Sequence, residues 1–72
     1  MDKAEFIEKL ADILQTESEI TYETELEDLD EWDSLSKMGV LAFLNGSCGQ
    51  NLTFNNLSTY NTVGDLAKAA GF

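Results

Sequence analysis

The segment from residue 16 to residue 33 limits most strongly what this chain can fold into. It contains nine of the 14 acidic residues and no basic residue, since neither Lys nor Arg occurs between Lys9 and Lys37. Apolar residues nevertheless recur within it: Ile20, Tyr22, Leu26, Leu29 and Trp32. A purely solvated acidic tail would not need them. The pattern predicts a long ordered loop, attached to a core by its apolar residues, with its carboxylates facing water.

Helical periodicity occurs on both sides of this loop. Before it, Asp2 is a candidate N-cap, and an apolar stripe runs from Phe6 to Leu14. After it, Asp33 is a second candidate N-cap for a helix that we expect to end at Asn45-Gly46-Ser47. The residues expected to face the core from this second helix are Leu35, Met38, Leu41 and Leu44.

The rest of the chain predicts one short helical turn and a final helix. The turn is expected between Asn55 and Tyr60, and the last helix is expected to begin at Thr62 and to end at Gly71. The predicted fold class is all-α: a small four-helix bundle with three main helices, a short third helix and a long first loop. Its 72 residues are expected to form a single domain, residues 1–72. The predicted core comprises Phe6, Leu10, Leu14, Leu41, Leu44, Phe54 and Leu66.

Composition excludes several classes of function. A formal net charge of −10 without a single Arg argues against nucleic acid as a partner and favours a protein with a basic surface. The absence of His and the single Cys48 exclude a Cys/His zinc site and Ser–His or Cys–His catalysis. No metal site is expected. No segment reads as a membrane span or a signal peptide, so we expect the protein in the cytoplasm. We also expect it to be a monomer.

The sequence Trp32-Asp33-Ser34-Leu35 carries the most specific chemical signal. Ser34 is predicted at the first helical position with an exposed hydroxyl, where unpaired backbone N–H groups favour a negative group such as a phosphate ester. Leu35 is expected to turn inward and to fix the helix against the core. An alternative reading is that Asp33 and Ser34 merely share the capping of this helix.

Asp33-Ser34-Leu35, placed between a long loop and a second helix, resembles the acyl carrier protein family. The segments Cys48–Phe54 and Thr59–Leu66 also resemble corresponding parts of that family. Its members are small acidic four-helix domains that carry 4′-phosphopantetheine on the serine of an Asp-Ser-Leu motif. The resemblance implies that Ser34 is the attachment site and that Asp33 and Leu35 belong to the recognition motif. It also implies modification by a phosphopantetheinyl transferase with coenzyme A, and a carrier rather than an enzyme.

The chain departs from this resemblance in its second helix, which contains no acid and only one Lys. We therefore expect a discrete, specialised carrier, served by acyl-loading and acyl-transfer or synthase enzymes with basic docking patches. The residues expected to contact these partners are Glu25, Glu27, Asp28, Asp30, Glu31, Ser36, Lys37 and Met38. A peptidyl or aminoacyl carrier, and a non-covalent acidic adaptor in which Ser34 is only a cap, remain open alternatives.

Two further expectations concern the core and the acidic loop. A modestly packed core would let an acyl chain enter the bundle. Crowded carboxylates between Glu17 and Asp33 are expected to raise one another's pKa and so to lower stability as the pH rises.

Overall fold

Four helices and one short 3₁₀ turn form the regular structure of the chain in a computed structural model that describes residues 1–72. Helix α1 spans Lys3–Leu14, α2 Ser34–Ser47, α3 Phe54–Leu57 and α4 Val63–Ala69, and the 3₁₀ turn covers Leu26–Asp28. The β-pairing is limited to an isolated bridge between Glu25 and Thr62. The predicted all-α fold with a short third helix is confirmed.

The three main helices begin where the sequence predicts, because each is preceded by a side chain that accepts a hydrogen bond from the first turn. These bonds join Glu5 N to Asp2, Ser36 N to Asp33 and Asp65 N to Thr62, with lengths of 2.9, 2.9 and 3.2 Å. Each bond pairs a backbone N–H that has no partner within the helix.

Helix α2 ends at Ser47, within the predicted segment, but Gly46 does not cap it. Asn45, Gly46 and Ser47 are all helical, and Gly49, not Gly46, adopts the left-handed conformation, with a φ of +70°. The side-chain amide of Asn45 instead fixes the chain that follows. It donates to Leu52 O at 3.0 Å and accepts from Leu52 N at 2.8 Å.

The core consists of 13 buried residues, all of them hydrophobic. Every helix contributes, and so does the acidic loop. The ring of Phe6 is fully buried in it, and its centroid lies 5.7 Å from that of Phe43 and 5.4 Å from that of Phe72. The large side chains with the least solvent exposure are Phe6, Leu10, Leu26, Val40, Leu44, Leu57, Val63 and Leu66.

Three residues expected in the core lie at the surface instead: Leu35 is 81% exposed, Met38 61% and Phe54 40%. The prediction that Leu35 faces inward is therefore wrong. Helix α2 is apolar on several sides, and it buries the face that carries Val40 and Leu44. Met38 precedes Val40 by two positions and so points away from the core, because two residues correspond to about 200° of helical rotation.

The long acidic loop is ordered as predicted, and its apolar residues attach it to the core. Ile20, Leu26 and Leu29 are buried, and Tyr22 and Trp32 pack partly buried against them. Backbone hydrogen bonds also join the loop to the start of α4: Leu26 N to Asn61 O at 2.8 Å, Val63 N to Thr24 O at 3.0 Å and Gly64 N to Tyr22 O at 2.8 Å.

Helix α2 packs closely against α1 at Gly39. A Cβ atom at this position would lie 3.2 Å from Ile13 Cγ2, which is tighter than ordinary van der Waals contact. The absence of a side chain thus lets the end of α1 lie beside the first turns of α2. No helix combines the length and the apolar character needed to cross a membrane.

Candidate functional site

The turn before α2 is held by a reciprocal set of hydrogen bonds between Asp33 and Ser36. Ser36 N donates to Asp33 Oδ1 at 2.9 Å, and Asp33 N donates to Ser36 Oγ at 3.0 Å. The Ser36 hydroxyl donates in turn to Glu31 O at 2.5 Å. Ser34 lies between these two residues as the first residue of α2, and it is exposed. The turn is therefore fixed by its neighbours, while the Ser34 hydroxyl faces solvent.

Ser36 has a structural role that was not predicted from the sequence. It is half-buried, and its hydroxyl is already bonded within the turn. The contact expected between Ser36 and a partner stays a prediction. Ser36 bonds to both Asp33 and Glu31, and so it holds these two residues in place on either side of Trp32.

The pKa of Asp33 is lowered, not raised as expected from crowding among the loop acids. The main cause is the hydrogen bond from the Ser36 backbone N–H, which stabilises the charged carboxylate. The Ser36 hydroxyl and the Leu35 N–H add to this effect, while partial desolvation opposes it. At this carboxyl, local hydrogen bonding outweighs desolvation.

We expect the stability of the folded domain to fall as the pH falls into the acid range. This is the opposite of the trend expected from crowding among the carboxylates. The pKa of Asp65 is also lowered, chiefly by the hydrogen bonds from Asn61 N and Thr62 N. A carboxyl with a depressed folded-state pKa contributes stability that is present above its unfolded pKa and lost as the pH falls through the folded value. Thermal melts followed by circular dichroism should therefore show a falling midpoint below about pH 4.

The double variant Asp33→Asn, Asp65→Asn is the control for this pH dependence. Asn can still accept the capping hydrogen bonds but does not titrate. Its midpoint should change less over the same pH range. If variant and wild type lose stability in parallel, the two carboxyls are not responsible.

Two solvent-open grooves flank the first turns of α2. The first, here called the α1 groove, has a volume of about 350 Å³. Its lining comprises Ile13, Leu14, Gln15, Glu31, Asp33, Leu35, Ser36 and Gly39. The second, here called the α3 groove, has a volume of about 370 Å³. Its lining comprises Glu27, Trp32, Lys37, Leu57, Ser58, Tyr60 and Asn61.

The other predicted site residues lie either on α2 or in the acidic loop that precedes it. Leu35 and Met38 are exposed on the outer side of α2. Lys37 is half-buried, and its Nζ lies 5.4 Å from the centre of the Trp32 ring, within the range of a cation–π contact. Four loop acids are fully exposed, namely Glu25, Glu27, Asp28 and Asp30, whereas Glu31 is half-buried in the α1 groove.

Tyr60 and Asn61, which line the α3 groove, are not among the residues predicted from the sequence. They come from the segment between α3 and α4, and only the tertiary fold brings them beside α2. No local signal in the sequence identifies them. Cys48 is half-buried as expected, and burial raises the pKa of its thiol. No three His, Cys, Asp or Glu side chains are grouped so that they could hold a metal ion.

The geometry around Ser34 suits a covalently attached phosphate ester. The hydroxyl is exposed at a helix N-terminus, no bulky side chain covers it, and grooves open on both sides of the turn. Ser34 would hold the group through its Oγ, while Asp33 and Ser36 keep the turn in place.

Comparison with known proteins gives a family for this arrangement. A family model described as phosphopantetheine attachment site matches residues 4–70. Searches of curated proteins and of solved structures gave no significant match. Domains of the matched family carry covalently attached 4′-phosphopantetheine, are carriers rather than catalysts, and interact with transferases and synthases. Because the match extends from the first helix to the last, the chain belongs to the phosphopantetheine attachment site family and is a phosphopantetheine-carrying domain.

Proposed function

We propose that this chain is an acyl carrier whose Ser34 Oγ bears 4′-phosphopantetheine as a phosphodiester. The observation that supports this most directly is the position of Ser34, exposed at the start of α2 between two residues that fix the turn. A phosphopantetheinyl transferase would use coenzyme A to modify it. The thiol at the end of the arm would then hold the acyl group as a thioester.

In this proposal Leu35 takes part in recognition by the transferase. Its side chain is 81% exposed directly beside Ser34, although a Leu at this position could have packed against the core. Exposed apolar side chains of this kind are typical of contact sites. Asp33 contributes mainly through the shape of the turn, because one of its oxygens already caps α2.

Co-expression with a broad-range phosphopantetheinyl transferase tests the proposal. The intact mass of the purified chain should rise by one 4′-phosphopantetheine group. If the mass does not change with several transferases, a non-covalent adaptor becomes the better reading, with Ser34 only part of the helix start.

We further propose that enzymes of a specialised pathway dock on a surface with an apolar centre and an acidic edge. Leu35 and Met38 form the apolar centre on α2, which itself has no acidic residue. The exposed carboxylates of Glu25, Glu27, Asp28 and Asp30 precede Ser34 in the loop. Partners would therefore present basic groups to the loop rather than to the helix.

Neutralising the loop acids should slow association with enzymes that dock on this surface, and a phosphopantetheinyl transferase serves as the test partner. We expect the triple variant Glu27→Gln, Asp28→Asn, Asp30→Asn to bind its transferase with an association rate about tenfold lower at low salt. The reason is the loss of electrostatic steering, which salt also removes. Stopped-flow measurements at low and high salt should show the difference shrinking as salt rises.

A matched control makes the same change in charge at one residue of α1 and two residues that follow it. The variant Asp12→Asn, Glu17→Gln, Glu19→Gln removes three exposed carboxylates outside the proposed surface. Its association rate should stay close to that of the wild type. Equal rates for wild type and the first variant would rule out the acidic edge as the docking charge.

A further inference from the structure

Charged side chains are distributed unevenly among the four cavities of the structure. Carboxylates line three of them, namely the α1 groove, the α3 groove and a cavity between Lys9, Asp12 and the end of α2. The fourth is lined by no Asp or Glu side chain but by two of the four basic residues, Lys3 and Lys68. In a chain with a net charge of −10, this cavity gathers positive charge, and it is here called the lysine cavity.

The lysine cavity lies where the start of α1, the acidic loop and α4 meet. Its loop wall is fixed by α4, because Gly64 N donates to Tyr22 O at 2.8 Å, and a Cβ atom at Gly64 would lie only 3.0 Å from that oxygen. Three separate segments thus bring the two lysines to one place. The lining around a volume of about 170 Å³ comprises Lys3, Tyr22, Gly64, Ala67, Lys68 and Phe72.

Two features of this lining favour a negatively charged ligand. The hydroxyl of Tyr22 is buried and has no hydrogen-bond partner in the protein, although buried hydroxyls are normally paired. Lys3 Nζ lies 5.8 Å from the centre of the Tyr22 ring. Lys3 is also the first residue of α1, where a cation adds to the positive end of the helix dipole instead of offsetting it. The cavity therefore combines positive charge with a hydrogen-bond donor that lacks an acceptor.

The acidic side chains closest in sequence to the two lysines are engaged elsewhere. Asp2 precedes Lys3, and its Oδ1 accepts the capping hydrogen bond of α1. Asp65 lies three positions before Lys68, and its Oδ2 accepts from Asn61 N at 2.9 Å. The lowered pKa of Asp65 comes first from this bond, and the charge of Lys68 contributes least. Neither carboxylate lines the lysine cavity, so its positive charge is not neutralised from within.

We propose that the lysine cavity binds the phosphate group of a small molecule, either the free ion or a phosphate monoester. Two ammonium groups match the charge of about −2 that such a group carries above its second pKa, whereas a monocarboxylate would balance only one of them. Phosphate oxygens accept several hydrogen bonds, so both lysines and the Tyr22 hydroxyl can donate to one group. The volume is below the usual range for drug-sized ligands, about 300–1,000 Å³, and so the ligand is small.

This site is distinct from the one at Ser34. Lys3 begins α1, whereas Ile13 and Leu14, at the other end of this helix, line the α1 groove beside the start of α2. At 1.5 Å per residue, the two ends lie about 16 Å apart along the helix axis. The inference therefore does not need a group on Ser34, and the unmodified chain is sufficient to test it.

An amide NMR titration with inorganic phosphate at about pH 7.5, above the second pKa of phosphate esters, tests the proposal. Ionic strength is held constant with sodium chloride. The signals of Lys3, Gly64 and Lys68 should shift together and saturate with a single Kd. Shifts that do not saturate, or that are equally large at Lys9 and Lys37, would show only general screening by ions and overturn the site.

The two lysines of α1 give a matched pair of variants, since both are exposed on the same helix. Lys3→Gln removes an ammonium group from the cavity and should weaken phosphate binding about tenfold, because a charge-assisted hydrogen bond is lost. Lys9→Gln makes the same change outside the cavity and should bind phosphate like the wild type. An equal loss of affinity in both variants contradicts a local site.

Tyr22→Phe tests the unpaired hydroxyl. The variant should bind phosphate several-fold more weakly, and without phosphate it should melt no lower than the wild type, because the lost hydroxyl had no partner. Unchanged affinity would refute the pairing of this hydroxyl with the ligand. Methyl phosphate, titrated in the same way, distinguishes the two sources: tighter binding than inorganic phosphate identifies a monoester as the ligand, and weaker binding identifies the free ion.

Discussion

Ser34→Ala is expected to abolish modification by a phosphopantetheinyl transferase completely, while the domain remains folded. The variant lacks the oxygen that forms the phosphodiester. Ala is well tolerated at the first position of a helix, and the bonds that hold the turn belong to Asp33, Ser36 and Glu31. Intact mass spectrometry should therefore detect only the unmodified chain, and its thermal midpoint should match that of the unmodified wild type.

Two other serines of α2 serve as controls for this result. Ser47→Ala removes an exposed hydroxyl at the opposite end of the same helix, and the variant should be modified like the wild type. Ser36→Ala breaks the hydrogen bonds of the turn, so it should slow modification and lower the thermal midpoint together. A mass increase in the Ser34→Ala chain would locate the attachment site elsewhere.

Leu44→Ala should have the largest effect on stability. Leu44 has no solvent exposure, and truncation of a fully buried Leu costs about 2–5 kcal/mol, because it removes hydrophobic contact and leaves a cavity. Small domains have a total stability at the low end of about 5–15 kcal/mol. The variant should therefore unfold at a much lower urea concentration than the wild type, or be partly unfolded without denaturant.

Leu35→Ala makes the same substitution on the same helix at a position that is 81% exposed. Its free energy of unfolding should stay within about 0.5 kcal/mol of the wild type. Its effect should instead be on kcat/KM for the transferase, because an apolar contact beside Ser34 is lost. A large loss of stability in Leu35→Ala would contradict the assignment of this side chain to the surface.

These two leucines also show how far the sequence determines the fold. Capping residues are local signals, so Asp2, Asp33 and Thr62 predicted the starts of the main helices correctly. The face that α2 buries is decided by tertiary contacts, not by local signals. Apolar residues occur around most of this helix, and the buried face follows from the close packing at Gly39 and from the common core that Val40 and Leu44 join.

Some parts of the candidate site are likewise readable from the local sequence, whereas others depend on the tertiary fold. Asp33-Ser34-Leu35 is contiguous, so its motif and its place before a helix are readable from the sequence. The pairing of Asp33 with Ser36 is also local, but Glu or Gln is the usual partner at the fourth position of such a box, and Ser36 was therefore not recognised. The α3 groove combines segments 27–37 and 57–61, which no periodicity relates to one another.

The backbone bonds between residues 22–26 and 61–64 have a consequence for the order of folding. They join parts of the chain that are more than thirty positions apart, so they form only after a large loop has closed. Such non-local contacts are usually made late, after local helical turns. The acidic segment should then gain hydrogen-exchange protection together with the last helix rather than with α2. The start of α2, with Ser34, should therefore be protected before the acidic segment is fixed against the last helix.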